Sequence, residues 1–169
     1  MAFIEKFLGK RVDIPEDRRY QSGQGIWAKQ EVGKIIFGFT EPALVLMGGI
    51  NDVEWIASEG KTVEKGEAVI FAITGKISYI DAPTGGVIHF NPEVKQNHSL
   101  ISEDPYNRGW LFKIEPDDPK ASRLDRFVGT TAYVESLKST EGCKNPDGLK
   151  GGVSGICKSV YSGIREQKL

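Results

Sequence analysis

The chain has 169 residues, 39% apolar and 27% charged, which suits one globular domain or one domain with an extension. Its 22 basic and 23 acidic side chains nearly cancel, so no charge excess points to nucleic acid or a membrane surface. Two cysteines and two histidines make neither a disulfide framework nor a zinc cluster, and no apolar run approaches the ~20 residues of a membrane helix. "MAFIEKFLGKR" has no signal-peptide core, so the protein is expected to be cytoplasmic.

In chain order, Ala2, Phe3, Ile4, Phe7 and Leu8 fit a short amphipathic helix that "PEDRR" ends, so residues 1–18 are expected to be a helix and connector. From Ile26 to Ile114, apolar segments alternate with Gly, Pro and Asn turns. The expected strands are "GIWAKQ", "KIIFGFT", "INDVEWIA", "EAVIFAIT", "KISYIDA", "GVIHF" and "WLFKIEP". "EPALVLMG" has an acid and a proline at a helix start and a glycine at its end, which predicts a short helix or turn. So many short strands in about ninety residues imply a mainly β fold with flanking helices, a small barrel or sandwich. "EAVIFAIT" is apolar at nearly every position from Ala68 to Ile73, the pattern of a strand covered on both faces. The turn that follows, with Lys76, is therefore expected to be rooted in a core. Beyond Pro116, Leu124, Phe127 and Val128 share a helical face, "CKNPDGLKGGVSGIC" is glycine-rich, and the last residues can close with a helix. Residues 117–169 are expected to be a helical and loop extension on a domain spanning 19–116.

Little here carries catalysis. "TGK" lacks the spaced first glycine and the Ser or Thr of a phosphate loop, because Ile70 and Ile77 stand at those places. His89 falls on the outer face of a strand, and His98 falls in a loop. No nucleophile, base and orienting group fall together, so a carrier or binding module is expected rather than an enzyme. Cys143 and Cys157 flank the glycine-rich loop, either as two unrelated thiols or as a redox pair.

The order of motifs is more specific. Arg19–Tyr20 with Trp27, "FGFTEPALVLMG", "EGKTVEKGEAV", "DAPTGG" and "EDPYNRGWLFKI" resemble the ordered motifs of the glycine cleavage system H protein family over about 19–115. The resemblance implies a barrel-sandwich hybrid, the lipoyl-domain fold, with an N-terminal helix and the C-terminal extension. It implies a non-enzymatic carrier whose lipoate is joined by an amide bond to a hairpin lysine. Lys76 is the corresponding residue: it lies ten residues after Gly66, as in the family, but the step from Lys76 to Pro83 is one residue shorter than the family's. Counted back from Pro83, Gly75 would take the lysine's place. The family's tip motif "ESVKA" also differs here, with Ile73 for the acid and Ile77 for the alanine.

The partners implied are a glycine decarboxylase, an aminomethyltransferase, dihydrolipoamide dehydrogenase and a lipoylating enzyme. Two alternatives stay open. One is a related lipoate carrier for bacterial sulfur oxidation with a heterodisulfide-reductase-like complex. The other is an unlipoylated scaffold of the same fold.

Overall fold

A computed structural model describes residues 2–74, 77–118 and 124–149. The chain opens with a hairpin of β1 (Ala2–Phe7) and β2 (Lys10–Ile14). A meander of β3 (Arg19–Gln21), β4 (Ile26–Glu31) and β5 (Lys34–Phe39) leads to helix α1 (Glu41–Met47). Strands β6 (Asp52–Trp55), β7 (Thr62–Val63), β8 (Ala68–Ile73), β9 (Ile77–Asp81) and β10 (Gly86–Phe90) follow. Short helices α2 (Pro92–Gln96) and α3 (Ser99–Glu103), strand β11 (Phe112–Pro116) and helices α4 (Thr130–Leu137) and α5 (Glu141–Lys144) complete the described chain.

All pairings are antiparallel. One sheet runs β3-β4-β5-β11-β10-β7 and a smaller one β6-β8-β9. The main core lies between them, in an open barrel-sandwich arrangement. Phe37 packs on Phe112 at 5.1 Å between ring centres, and Trp55 stacks on Phe90 at 4.5 Å. A second cluster sits beneath the β1–β2 hairpin, where Phe7, Ile14, Tyr20, Trp27, Tyr133 and Leu137 are buried.

The seven expected strands all form, and "EPALVLMG" becomes α1. Thr40 starts that helix by accepting a hydrogen bond from Ala43 N at 3.1 Å, and Gly48 ends it at φ 74°, a conformation that costs glycine little.

Three expectations are corrected. The described residues 2–18 form no helix. Leu8 and Gly9, both at positive φ, turn the chain, and a bulge between Ile4 and Phe7 breaks the two-residue period of β1. Ala2, Ile4 and Phe7 therefore face inward at a spacing that imitates a helical face, while Phe3 is exposed. Strand β8 is not fully covered on both faces: Ile70 and Ala72 are buried, whereas Phe71 and Ile73 on the outside are only partly buried. Leu124, Phe127 and Val128 precede the helix instead of forming it. Phe127 is buried in the main core, Val128 bridges to Tyr20, and α4 begins at Thr130. The expected closing helix lies outside the described residues.

A polar aromatic knot ties these parts together. Trp27 donates from Nε1 to Pro105 O at 3.1 Å, and the Arg18 guanidinium lies 4.6 Å above its ring. Tyr106 OH donates to Asp13 O at 2.6 Å and accepts from Glu41 N at 3.0 Å, joining β2 to α1. A Cβ at Gly38 would stand 2.6 Å from the Trp27 ring. Gly38→Ala is expected to destabilise the fold by about 1–3 kcal/mol through overpacking. Tyr106→Phe is expected to cost about 1–3 kcal/mol by orphaning the Glu41 N–H. Both should lower the urea midpoint at unchanged slope.

Candidate functional site

The candidate site is the β8–β9 hairpin. Ile73 pairs with Ile77, so Thr74, Gly75 and Lys76 connect the strands. Gly75 and Lys76 themselves lie outside the described residues. The register shifts between Ala68↔Asp81 and Ile70↔Ile80, which gives β8 one residue more than β9 at buried Val69. That surplus matches the one-residue shortfall between Lys76 and Pro83.

Both strands are clasped from outside the hairpin. Asn51 donates its backbone N–H to Ile73 O at 2.8 Å and its side-chain amide to Thr74 O at 3.2 Å. At the other end, Gln24 accepts from Asp81 N at 3.1 Å and donates to the Asp81 carboxylate at 3.2 Å. The ends of the hairpin are thus tied to the loop after α1 and to the β3–β4 turn. Thr74 is buried, which fits a connection held at its root.

A cleft of roughly 530 Å³ opens beside β9. Ser78, Tyr79 and Ile80 form one wall, Ala43, Leu46 and Met47 of α1 another, and Leu137 of α4 the third. The β3–β4 turn, "SGQG" from Ser22 to Gly25, borders it, and a Cβ at Gly25 would collide with the Ala43 side chain. Helix α4 is held in place by Tyr133, which stacks on Tyr20 at 4.7 Å and shares a 2.7 Å hydrogen bond with Thr40. Sequence reasoning missed this cleft, because its walls come from distant segments. The small residues of "SGQG" were the available signal that a turn here leaves space.

The other candidates fall elsewhere. His89 stands on the outer face of β10, with Nδ1 and Nε2 each 2.7 Å from a carboxylate, Glu59 and Glu115 respectively. The hydrogen bond to Glu59, and then that to Glu115, raise its pKa above the usual imidazole value. Cys143 is half-buried against the second cluster, and burial raises its thiol pKa. Cys157, the other thiol of the two alternatives left open by the sequence, lies outside the described residues. Among the described residues, no three His, Cys, Asp or Glu side chains are placed to hold a metal ion, and no helix is long and apolar enough to cross a membrane.

An open pair of sheets that presents a clasped hairpin beside a largely apolar cleft is the architecture of a small carrier domain. The glycine cleavage H-protein family model matches residues 18–140, and the chain belongs to that family. It is 35% identical over 130 residues to the glycine cleavage system H protein of Thermus thermophilus, across 76% of this chain and 98% of the relative. It is 34% identical over 130 residues to the probable glycine cleavage system H protein 2 of Sulfurisphaera tokodaii, across 74% and 86% respectively. The crystal structure of a glycine cleavage system H protein from Mycobacterium marinum matches with a TM-score of 0.63 and 25% identity, covering 73% of this chain and 98% of that one. Proteins of this family are lipoyl carriers, not catalysts, and bear lipoate covalently on a lysine. The family match runs past Pro116 and takes in α4, the cleft's third wall.

The His89 bridge makes a pH prediction. A raised folded-state pKa means stabilisation that is full below about pH 6.5, while the glutamates are ionised, and is lost as pH rises through the folded value. The melting temperature of His89→Gln should fall furthest below wild type near pH 6 and converge with it in mildly alkaline buffer. At this half-exposed site the effect should not exceed about 1 kcal/mol.

Proposed function

We propose that this chain is a cytoplasmic lipoyl carrier of the glycine cleavage type, with Lys76 as its attachment residue. The observation that carries this reading is the clasped β8–β9 hairpin, whose bulge at Val69 favours the register with Lys76, not Gly75, at the family's lysine position. Counted from Gly66, Lys76 falls at the family's spacing.

Attached lipoate would supply a dithiolane that cycles between disulfide and dithiol. The chain's own part is to present, to shelter and to neutralise. Asn51 and Gln24 hold the strand ends, so the arm would pivot from a fixed base, which raises its effective concentration at a docked partner. Amide formation removes the ammonium charge of the lysine, so the arm can enter an apolar space at less desolvation cost. The cleft beside β9 fits such an arm. Leu46, Met47 and Leu137 suit its aliphatic length, and Gln24, Ser22 and Ser136 offer polar contacts to a loaded end. The partners in this reading are glycine decarboxylase, aminomethyltransferase and dihydrolipoamide dehydrogenase.

The apolar tip, with Ile73 and Ile77 for the family's acid and alanine, favours a second reading in which the carrier serves sulfur oxidation with a heterodisulfide-reductase-like complex.

Intact mass and peptide mapping of protein from its native host test both. A lipoyl amide on Lys76, absent from Lys76→Arg, is expected; an unmodified Lys76 would leave only the scaffold alternative. Glycine-dependent reduction of the arm by purified glycine decarboxylase is expected for the first reading, and its absence would favour the second.

A further inference from the structure

The family match spans residues 18–140, and the stretches on either side of it hold each other. In the turn of the β1–β2 hairpin, Leu8 N donates to Gly142 O at 3.1 Å and Gly9 N to Pro146 O at 2.7 Å. Lys6 pairs with Asp147 at 3.0 Å, and the Phe7 ring fills the space that a Cβ at Gly142 would need. Asn145 then closes the chain on itself. Its side chain donates to Leu149 O and accepts from Leu149 N, each at 3.1 Å. The hairpin thus fixes the point from which residues 150–169 set out. That point follows closely on Thr140, which lines the cleft beside β9.

Residues 150–169 lie outside the described residues, but their sequence carries a pattern. Val153, Ile156, Cys157, Val160 and Ile164 recur at the three- and four-residue spacing of one helical face, with Lys158, Arg165 and Lys168 to its side. Gly155 and Gly163 weaken such a helix on its own, so the face needs a surface to order against.

We propose that the segment 150–169 is an occupant of the cleft beside β9, its apolar face turned to Leu46, Met47, Tyr79 and Leu137. The walls have apolar surface to cover, since Leu46 is 40% exposed and Tyr79 58%. The lining residues are uncharged. Asp81 and Glu141 follow the lining residues Ile80 and Thr140 in the chain and complement the basic side of the segment. Glu135 and Lys138 of the α4 end pair with each other at 3.1 Å. The groove between β2 and α1 also begins near the exit point, but it presents Lys10 and Arg11 against the single carboxylate of Glu41, a rim that opposes Lys150 and Lys158. A short tether gives a roughly millimolar effective concentration, so a contact of a few side chains is enough. Docking does not depend on the lipoyl reading. Its consequence does: segment and arm would exclude each other from one cleft, and a seated segment would leave the arm free for partners.

Cys157 lies on the proposed face and reports docking without a label. Full-length protein, unlipoylated, is treated with iodoacetamide, and alkylation of Cys157 is followed by peptide mass mapping, separately from Cys143. Each rate is divided by that of the same chain unfolded in urea. Wild type is expected to react at least about tenfold more slowly than Ile156→Ser/Val160→Ser and than Leu46→Gln, as for a segment seated about nine-tenths of the time. Val32→Ser, at a fully exposed site in the β4–β5 turn, should match wild type. Equal relative rates in wild type and the tail variant would overturn the proposal. If Cys143 also reacts faster in Leu46→Gln, that variant has lost its fold and the tail variant decides. Protection that grows with protein concentration, with a dimer in sedimentation, would seat the segment on a second copy and overturn docking within one chain. The lipoylated protein separates the two readings. Weaker protection there is expected from competition by the arm. Protection unchanged by lipoylation, yet still lost in Leu46→Gln, would keep the segment in the cleft and overturn the cleft as a shelter for the arm.

Discussion

The indole of Trp27 fills the space that any side chain at position 38 would need, and much of the second cluster is arranged around that fact. A Cβ on Gly38 would sit 2.6 Å from the ring, so β4 and β5 can lie in register only while position 38 stays bare. With the ring in place, its Nε1 donates to Pro105 O and its face receives the Arg18 guanidinium. Arg18 in turn donates to Tyr106 O at 2.9 Å and to Asp17, so this buried cation has partners and is not a stranded charge. Trp27 and Gly38 are far in sequence from Pro105 and Tyr106, but all four are components of one contact.

That contact reaches the candidate site through three tyrosine hydroxyls. Tyr106 OH bridges Asp13 O and Glu41 N and so ties the start of α1 to the N-terminal hairpin. Tyr20 donates from its hydroxyl to Pro15 O and stacks on Tyr133, whose own hydroxyl shares a hydrogen bond with Thr40, the cap of α1. Burial pushes the Tyr133 pKa up to about 12, so this phenol stays neutral and able to donate across the physiological range. Helices α1 and α4 are held against each other by these bonds, and they form two walls of the cleft beside β9. Several motif residues far from Lys76 thereby shape the space next to the hairpin.

Sequence was most informative where one physical pattern dominated. Seven of the eight strands from β4 to β11 were legible from apolar runs cut by turn residues, all but the two-residue β7, and α1 was legible from its cap, proline and glycine. Strands β1 and β2 were not, because a single bulge shifted the phase of β1 and made Ala2, Ile4 and Phe7 imitate a helix. Phe127 shares a helical period with Leu124 and Val128 in the sequence, yet it enters the core from a turn in which Arg126 takes φ 67°. The lysine could be located by motif spacing. The cleft could not, because four segments meet there and no local pattern records a space.

The misreading of β8 is the most instructive. Its continuous apolar run has the pattern of a strand covered on both faces, yet only Val69, Ile70 and Ala72 are buried. The inner face is explained by the core, where Ile70 opposes Ile80 and Val53 opposes Ala72. The outer face is less completely covered, since Phe71 and Ile73 are only partly buried. Single exposed apolar residues are ordinary, but here they align as two successive cross-strand pairs. A strand of this kind reads as doubly covered because it is apolar on two faces for two different reasons. One face folds the domain, and the other sets two aligned apolar cross-strand pairs at the root of the candidate attachment site.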